Sequence, residues 1–304
     1  APSIQPNFSA VASVDNICFG SSTGEIQITE VNNSINPLSY TISPVAGTFN
    51  AATLTYTGLP AGVYDITGEG TNGCTTTVQV TINENPDIVL TPSVTPFGCT
   101  TNNVTDNAIV SVSAAGGSST YVRYVFVYDN GTPGVPADDI TQDSSNTSFA
   151  ITNEAGGSVD ITVYDDNGCS QTATQAVAPF NGLSNADYVV TKSVDCRALP
   201  LGGADVNITF DSSVSAITAD VTITGSSTAY TDTQSGVSPV SFTGVPADTY
   251  TVTITNSTTG CVLTTSILVE EAPVFNLDVN KTNDVACVGS NEGAFDFDFS
   301  VSSP

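Results

Sequence analysis

Seven cysteines and thirty carboxylates are the residues of this 304-residue chain whose types could do chemistry. There is no His, so a Ser-His-Asp arrangement lacks its general base, and the reading is that the chain is not an enzyme. Carboxylate pairs are inevitable among so many acids, and pairs alone specify no reaction. One acidic cluster stands out: Asp129-Asn-Gly-Thr-Pro-Gly-Val-Pro-Ala-Asp138-Asp139, followed by Asp143. Hard oxygen ligands in a turn-rich loop suit Ca²⁺, so Asp129, Asp138, Asp139 and Asp143 are its candidate ligands. The spacing is not that of an EF-hand, and a solvated acidic loop is the simpler reading. No other cofactor is expected. Asp165-Asp166-Asn167 reads as turn chemistry, because Asp and Asn tolerate left-handed backbone.

The cysteines fall into two kinds. Cys18, Cys99, Cys196 and Cys287 each open a unit and precede a strand such as Gly24-Glu-Ile-Gln-Ile or Gly203-Ala-Asp-Val-Asn-Ile. Cys74, Cys169 and Cys261 each close one, following Asn-Gly or Thr-Gly between two alternating runs, which is a hairpin signal. Both kinds recur at about 90 residues, too long for a solenoid unit and suited to a whole sandwich domain. The economical pairing is one bridge per domain: Cys18–Cys74, Cys99–Cys169 and Cys196–Cys261, with Cys287 unpaired. Such bridges would close loops of about 55–70 residues, worth roughly 4 kcal/mol each in the chain-entropy model. They would also place the chain outside the reducing cytosol.

The elements that hold these cysteines are strands. Thr, Val, Ile, Tyr and Phe favour strands, Gly, Pro, Asn and Asp supply turns, and no run shows helical apolar spacing. Tyr124, Phe126 and Tyr128 share one face of a strand and read as a core stripe. Hydrophobic residues make up 39% of the chain, enough for packed cores in spite of a net charge of −26. The fold class is therefore all-β: tandem Ig-like β-sandwiches. Pro-marked linkers place an end segment at 1–9, repeats at 10–86, 91–179 and 188–273, and the start of a fourth, truncated repeat at 277–304. The chain reads as a fragment of a longer protein, and short linkers predict an extended rod. The four bases, Arg123, Lys192, Arg197 and Lys281, form no cluster, so nucleic acid and anionic membrane surfaces are disfavoured as partners. No apolar run reaches membrane-spanning length.

The unit resembles a known repeat. An opening Val-x-Cys, a Gly-led strand, Leu59-Pro-Ala-Gly-Val-Tyr-Asp-Ile-Thr, Asn-Gly-Cys and a Glu-x-Pro exit are similar to the repeat of the SprB-type gliding-motility adhesins of Bacteroidota. Val245-Pro-Ala-Asp-Thr-Tyr-Thr-Val-Thr-Ile and Asp165-Asp-Asn-Gly-Cys169 carry the same pattern. The family's Gly-Gly-x-Pro-Pro-Tyr stretch is only echoed, in Asn36-Pro-Leu-Ser-Tyr40 and Ala115-Gly-Gly117, and its Trp is missing. The resemblance implies a long cell-surface filament exported by the type IX secretion system and used in adhesion or gliding. Its partners would be further copies of the same repeat and an unknown surface or glycan. Two other readings fit the same sequence: a glycan-binding module array, and accessory repeats of a secreted hydrolase.

Overall fold

Alternation of Val, Ile, Tyr and Phe with Thr, Ser and Asp puts one face of each segment in a core and the other in water, which is the pattern of a half-buried strand. The computed structural model of the chain describes residues 5–31, 37–194, 203–284, 288–289, 291 and 293–302. Strands dominate it, and a single 3-10 turn at Pro136–Asp138 is the helical element among the described residues. The protein is all-β and built of tandem Ig-like sandwiches. Each sandwich is a pair of antiparallel sheets whose inner faces meet.

The first sandwich contains β1 (Phe8–Val14), β2 (Gly24–Glu30), β3 (Pro37–Ser43), β4 (Thr48–Asn50), β5 (Thr55–Leu59), β6 (Gly62–Gly70) and β7 (Thr75–Ile82). Its sheets run β1-β2-β5-β4 and β3-β6-β7. Ile26, Ile28, Leu59, Ile66 and Ile82 are almost wholly buried between them. The second follows with β8 (Val89–Thr95), β9 (Gly98–Cys99), β10 (Thr105–Asp106), β11 (Ala108–Ala115), β12 (Tyr121–Tyr128), β13 (Ile140–Ser144), β14 (Ser148–Ile151), β15 (Gly157–Asp165) and β16 (Ser170–Val177). Its sheets run β14-β11-β8 and β13-β12-β15-β16, and β9 and β10 pair only with each other. Tyr124, Phe126 and Tyr128 are buried together, as the stripe on their strand predicts.

The third sandwich contains β17 (Leu183–Lys192), β18 (Ala204–Ser212), β19 (Ala219–Gly225), β20 (Thr231–Gly236), β21 (Val240–Val245), β22 (Asp248–Asn256) and β23 (Val262–Val269). Its sheets are β17-β18-β21 and β20-β19-β22-β23. β24 (Val274–Asn283) and β25 (Ala294–Ser302) then form a two-stranded ribbon. On β25, Phe295, Phe297 and Phe299 alternate with Asp296 and Asp298, and all three rings are exposed.

These elements group into two compact units. One holds residues 1–95 and 109–178, the other 96–108 and 179–304. The first unit thus contains the first sandwich and the two main sheets of the second. The second unit contains the third sandwich together with the short segment that carries Cys99.

Tyrosine hydroxyls tie down the corners. Tyr64 donates to the carbonyl of Pro60 at 2.9 Å and Tyr250 to that of Pro246 at 2.8 Å, four residues upstream in both cases. The second sandwich has Val159 where the others have this tyrosine. There the hydroxyl comes from Tyr128, the cross-strand neighbour of Val159, and reaches the Gly156 carbonyl at 2.6 Å. A corner carbonyl thus receives a tyrosine hydroxyl in all three sandwiches, and in the second that carbonyl belongs to the buried Gly156.

Candidate functional site

The closing hairpins share a left-handed glycine and a closing backbone bond, the third with one more residue in its loop. Gly73, Gly168 and Gly260, each just before a cysteine, have φ of 72°, 83° and 71°, the left-handed region that glycine enters without a Cβ clash. The N–H groups of Gly70, Asp165 and Asn256 donate to the carbonyls of Cys74, Cys169 and Cys261 at 3.0, 2.9 and 2.9 Å. In two hairpins the donor residue is also a buried polar hub. Asp165 accepts from the N–H of Asn167 and Cys169 on Oδ1 and of Ser118 on Oδ2. Asn256 accepts from the N–H of Thr258 and Thr259, and its Nδ2 donates to the Asn181 carbonyl at 3.1 Å. The first hairpin has Gly70 at this place, and Asn72 Oδ1 accepts from the Cys74 N–H instead.

The opening loops are held as firmly. In the first sandwich Asn16 is 2% exposed; its Nδ2 donates to the Leu59 carbonyl while Oδ1 accepts from Thr23 N–H at 2.7 Å and from the Ser21 and Thr23 hydroxyls. This fixes the turn that presents Cys18. Asn85 Nδ2 donates to the Ile17 carbonyl, tying the loop to the outgoing linker. In the 96–108 segment Phe97 is buried and meets Phe180 edge-on at 6.3 Å between ring centroids. Cys99 N–H donates to the Thr259 carbonyl at 3.0 Å. Asn103 forms a two-point clamp, accepting from Val262 N–H and donating to Val262 C=O, both at 2.7 Å, as a strand neighbour would.

The bridges that result are not the economical ones. Cys18 is bonded to Cys169 and Cys99 to Cys261, with Cα–Cα distances of 5.5 and 5.0 Å. Cys74 is the free cysteine among the described residues, while Cys196 and Cys287 lie outside them. The expected Cys18–Cys74, Cys99–Cys169 and Cys196–Cys261 pairs are therefore corrected: each bridge joins an opening cysteine to the closing cysteine of the following repeat. Strand direction is the physical reason. Gly24 at the start of β2 pairs with Leu59 at the end of β5, so Cys18 and the start of β6 lie at the same end of the sandwich. β6 then runs nine residues away from that end, about 27 Å at strand rise, before the Cys74 hairpin. A disulfide requires a Cα–Cα separation of roughly 4.4–6.8 Å. The outgoing end of one repeat can meet only the incoming end of the next.

Two glycines let this junction close in the first unit. Gly116 (φ +86°) packs so tightly on the linker that a Cβ would sit 1.9 Å from the Asp87 carbonyl oxygen. A Cβ on Gly117 would sit 2.7 Å from Asp165 Oδ2 and 2.8 Å from Ile88 Cγ1, and the Gly117 N–H donates to the Pro86 carbonyl. The Ala115-Gly-Gly117 stretch is thus where linker, hairpin hub and sheet meet.

The acidic loop does not gather its carboxylates. Asp129 Oδ1 accepts from the N–H groups of Gly131 and Ser158, closing the turn after β12. Asp138 accepts from the Thr132 hydroxyl, and Asp139 follows the 3-10 turn. Asp143 lies on β13 and forms a two-point ion pair with Arg123 at 2.7 and 2.8 Å. That guanidinium holds the Asp143 carboxyl below its ordinary range and also lies 4.6 Å over the Tyr164 ring. The four proposed calcium ligands therefore face different partners, and no group of three metal-ligating side chains occurs among the described residues. In the third sandwich Asp248 is another capping carboxylate. It accepts from the N–H groups of Thr228, Ser227 and Thr249 and from the hydroxyls of Ser226, Ser227 and Thr228. These bonds, the Thr228 N–H first, pull its carboxyl far below the usual range.

No protein-family model matches the chain, and no curated protein matches it. Among solved structures, the chain is similar to the three N-terminal domains of the bacteriophage RB49 highly immunogenic outer capsid protein, with 12% identity, a TM-score of 0.47, and coverage of 86% of this chain and 97% of that one. A tetra-tandem repeat in the extending region of a large adhesion protein aligns at 16% identity and a TM-score of 0.36, over 98% of this chain and 88% of that one. The FN1–FN3 domains of chicken CNTN1 align at 11% identity and a TM-score of 0.33, over 88% and 99%.

Proposed function

We propose that this chain is a structural and adhesive stalk segment of an extracellular surface protein, with consecutive sandwiches laced together covalently. The observation that carries this reading is the bridge pattern: both disulfides join one repeat to the next rather than closing a repeat on itself. A bridge inside a domain stabilises that domain. A bridge between domains adds a second covalent path across the joint, which serves a chain that must stay connected under tension or proteolysis. Disulfides also fit a location outside the reducing cytosol. Gliding motility and export by the type IX system rest on the resemblance of the repeat motifs alone. The aromatic stripe that a glycan-binding reading would use is in the core, since Tyr124, Phe126 and Tyr128 are 8%, 0% and 1% exposed.

The test is to cut the chain between repeats. Ala178 and Pro179 are exposed, so a protease site inserted between them should be cleaved without unfolding. The nicked protein is expected to run as one species without reductant and as two with it, held by Cys99–Cys261 alone. Cys99→Ser combined with Cys261→Ser should separate without reductant. Spontaneous separation of the nicked parent protein would refute the lacing.

A further inference from the structure

Cys74 is the one closing cysteine that is described and unbridged, and it is half-buried. Its hairpin has the same left-handed glycine and the same N–H to cysteine carbonyl bond as the Cys169 and Cys261 hairpins, each of which holds an opening cysteine. The ground beside it also matches. Thr76 Oγ1 donates to the Pro6 carbonyl at 2.7 Å, fixing the incoming chain against the hairpin as Asn256 fixes Asn181. Thr75 follows Cys74 on the edge strand β7, the place that Val262 holds on the edge strand β23. Val262 is the residue whose backbone the Asn103 amide clamps.

We infer that the Cys74 hairpin is a docking site for the opening-cysteine loop of another copy of this repeat, and that capture ends in a disulfide. This rests on the laced-repeat reading above and extends it from the joints within the chain to a joint this chain can still make. The occupant is specified by what the Cys261 hairpin holds: a cysteine whose N–H meets the hairpin carbonyl of Thr259, an aromatic two residues before it, and an Asn four residues after it, in Phe97, Cys99 and Asn103; the Cys18 loop on the Cys169 hairpin has Asn16 and Ser22 at those places. Cys74 differs from the occupied sites in having Gly70 in place of a buried hub, so the loop itself supplies more of the order there.

The chemistry is thiol–disulfide exchange. With the loop presented as a mixed disulfide with glutathione, the Cys74 thiolate attacks the loop cysteine sulfur. The loop–glutathione S–S bond breaks, its electron pair leaves on glutathione, and glutathione takes up the proton that Cys74 lost. One disulfide replaces another, and no further oxidant is needed.

The experiment uses the full chain and a synthetic peptide of residues 96–106 carried as that mixed disulfide. A scrambled peptide of equal composition and an Asn103→Ala peptide serve for comparison. Coupling at Cys74 is followed by mass spectrometry of the Cys74 fragment, and the Cys18–Cys169 and Cys99–Cys261 bridges are mapped in the same sample. The expected result is coupling at least about tenfold faster for the native loop than for the scramble, reduced by Asn103→Ala and absent in Cys74→Ser. Equal rates for native and scrambled loops, or no coupling, with both bridges present, would overturn this inference and leave the lacing intact. Absence of the two bridges themselves would overturn the lacing instead.

Discussion

Polar side chains that accept from the backbone N–H groups of a turn fix the loops in all three sandwiches, Asn16, Asp165 and Asn256 from buried positions and Asp248 from a half-buried one. Asp248 is the extreme case, with six donors on one carboxylate. Its folded pKa is depressed below an unfolded value near 3.8, so its contribution is full above that value and is lost as pH falls through the folded one. Wild-type protein is therefore expected to lose melting temperature in the third sandwich as pH drops from 5 towards 2. Asp248→Asn should melt lower at neutral pH and show a flatter acid limb, read by near-UV dichroism of the tyrosines. An acid limb of unchanged slope would show that the carboxylate charge carries none of this stability. These hubs were partly legible in the sequence. Asp165 reads correctly as a turn residue from Asp-Asp-Asn-Gly. That its second oxygen reaches back to Ser118 was not legible, because the contact spans 47 residues and depends on Gly117 leaving room. In the acidic loop, nearness in sequence offers one ion beside the simpler solvated reading, and strand register sends Asp143 to Arg123 while the turn consumes Asp129.

Among the elements, the repeat was readable and the bridge pattern was not. Strand alternation and turn dipeptides are local signals, and they mark the closing hairpins. Pairing cysteines requires knowing which end of a sandwich each occupies, and that is a matter of parity. Between Cys18 and Cys74 the chain crosses the sandwich five times among the described residues, on β2 to β6. An odd number of crossings puts the two cysteines at opposite ends. The count could have been made from the sequence, but β4 is three residues long and has little signal of its own. The same geometry gives the junction glycines their role. Gly116→Ala adds a Cβ against the Asp87 carbonyl and forces a side-chain-bearing residue into left-handed backbone, a strain of about 1–2 kcal/mol before the clash is counted. Gly168→Ala carries only the backbone strain, since nothing lies within 4 Å of its Cβ. Gly116→Ala is expected to lower the melting midpoint of the first unit more than Gly168→Ala, and to speed reduction of Cys18–Cys169 by dithiothreitol. Equal effects of the two substitutions would mean that the linker does not press on Gly116 in solution.

At the scale of the molecule, the two bridges overlap along the chain, and this changes how tension travels. Cys18–Cys169 and Cys99–Cys261 span 151 and 162 residues, and both enclose the stretch 99–169. A pull on the two termini enters at Cys18, crosses to Cys169, runs backwards along the second repeat to Cys99 and crosses again to Cys261. Residues 19–98 are bypassed, and 170–260 form a longer parallel route that goes slack first. The shortest covalent path is about 130 residues, or about 470 Å when fully extended, whereas the reduced chain reaches about 1,090 Å. Intra-repeat bridges would instead leave all the linkers and the strands outside each loop in series. Single-molecule stretching from residue 5 to residue 302 should therefore stop near the shorter limit under oxidising conditions, however many sandwiches unfold. Adding a reductant while the molecule is held at constant force should release the remaining length in steps as each bridge is cut. Cys18→Ser with Cys169→Ser should lengthen the oxidised limit, because the path then runs from the N-terminus to Cys99 without the first shortcut. An oxidised chain that extends to the reduced limit would show that the bridges do not cross the joints under load.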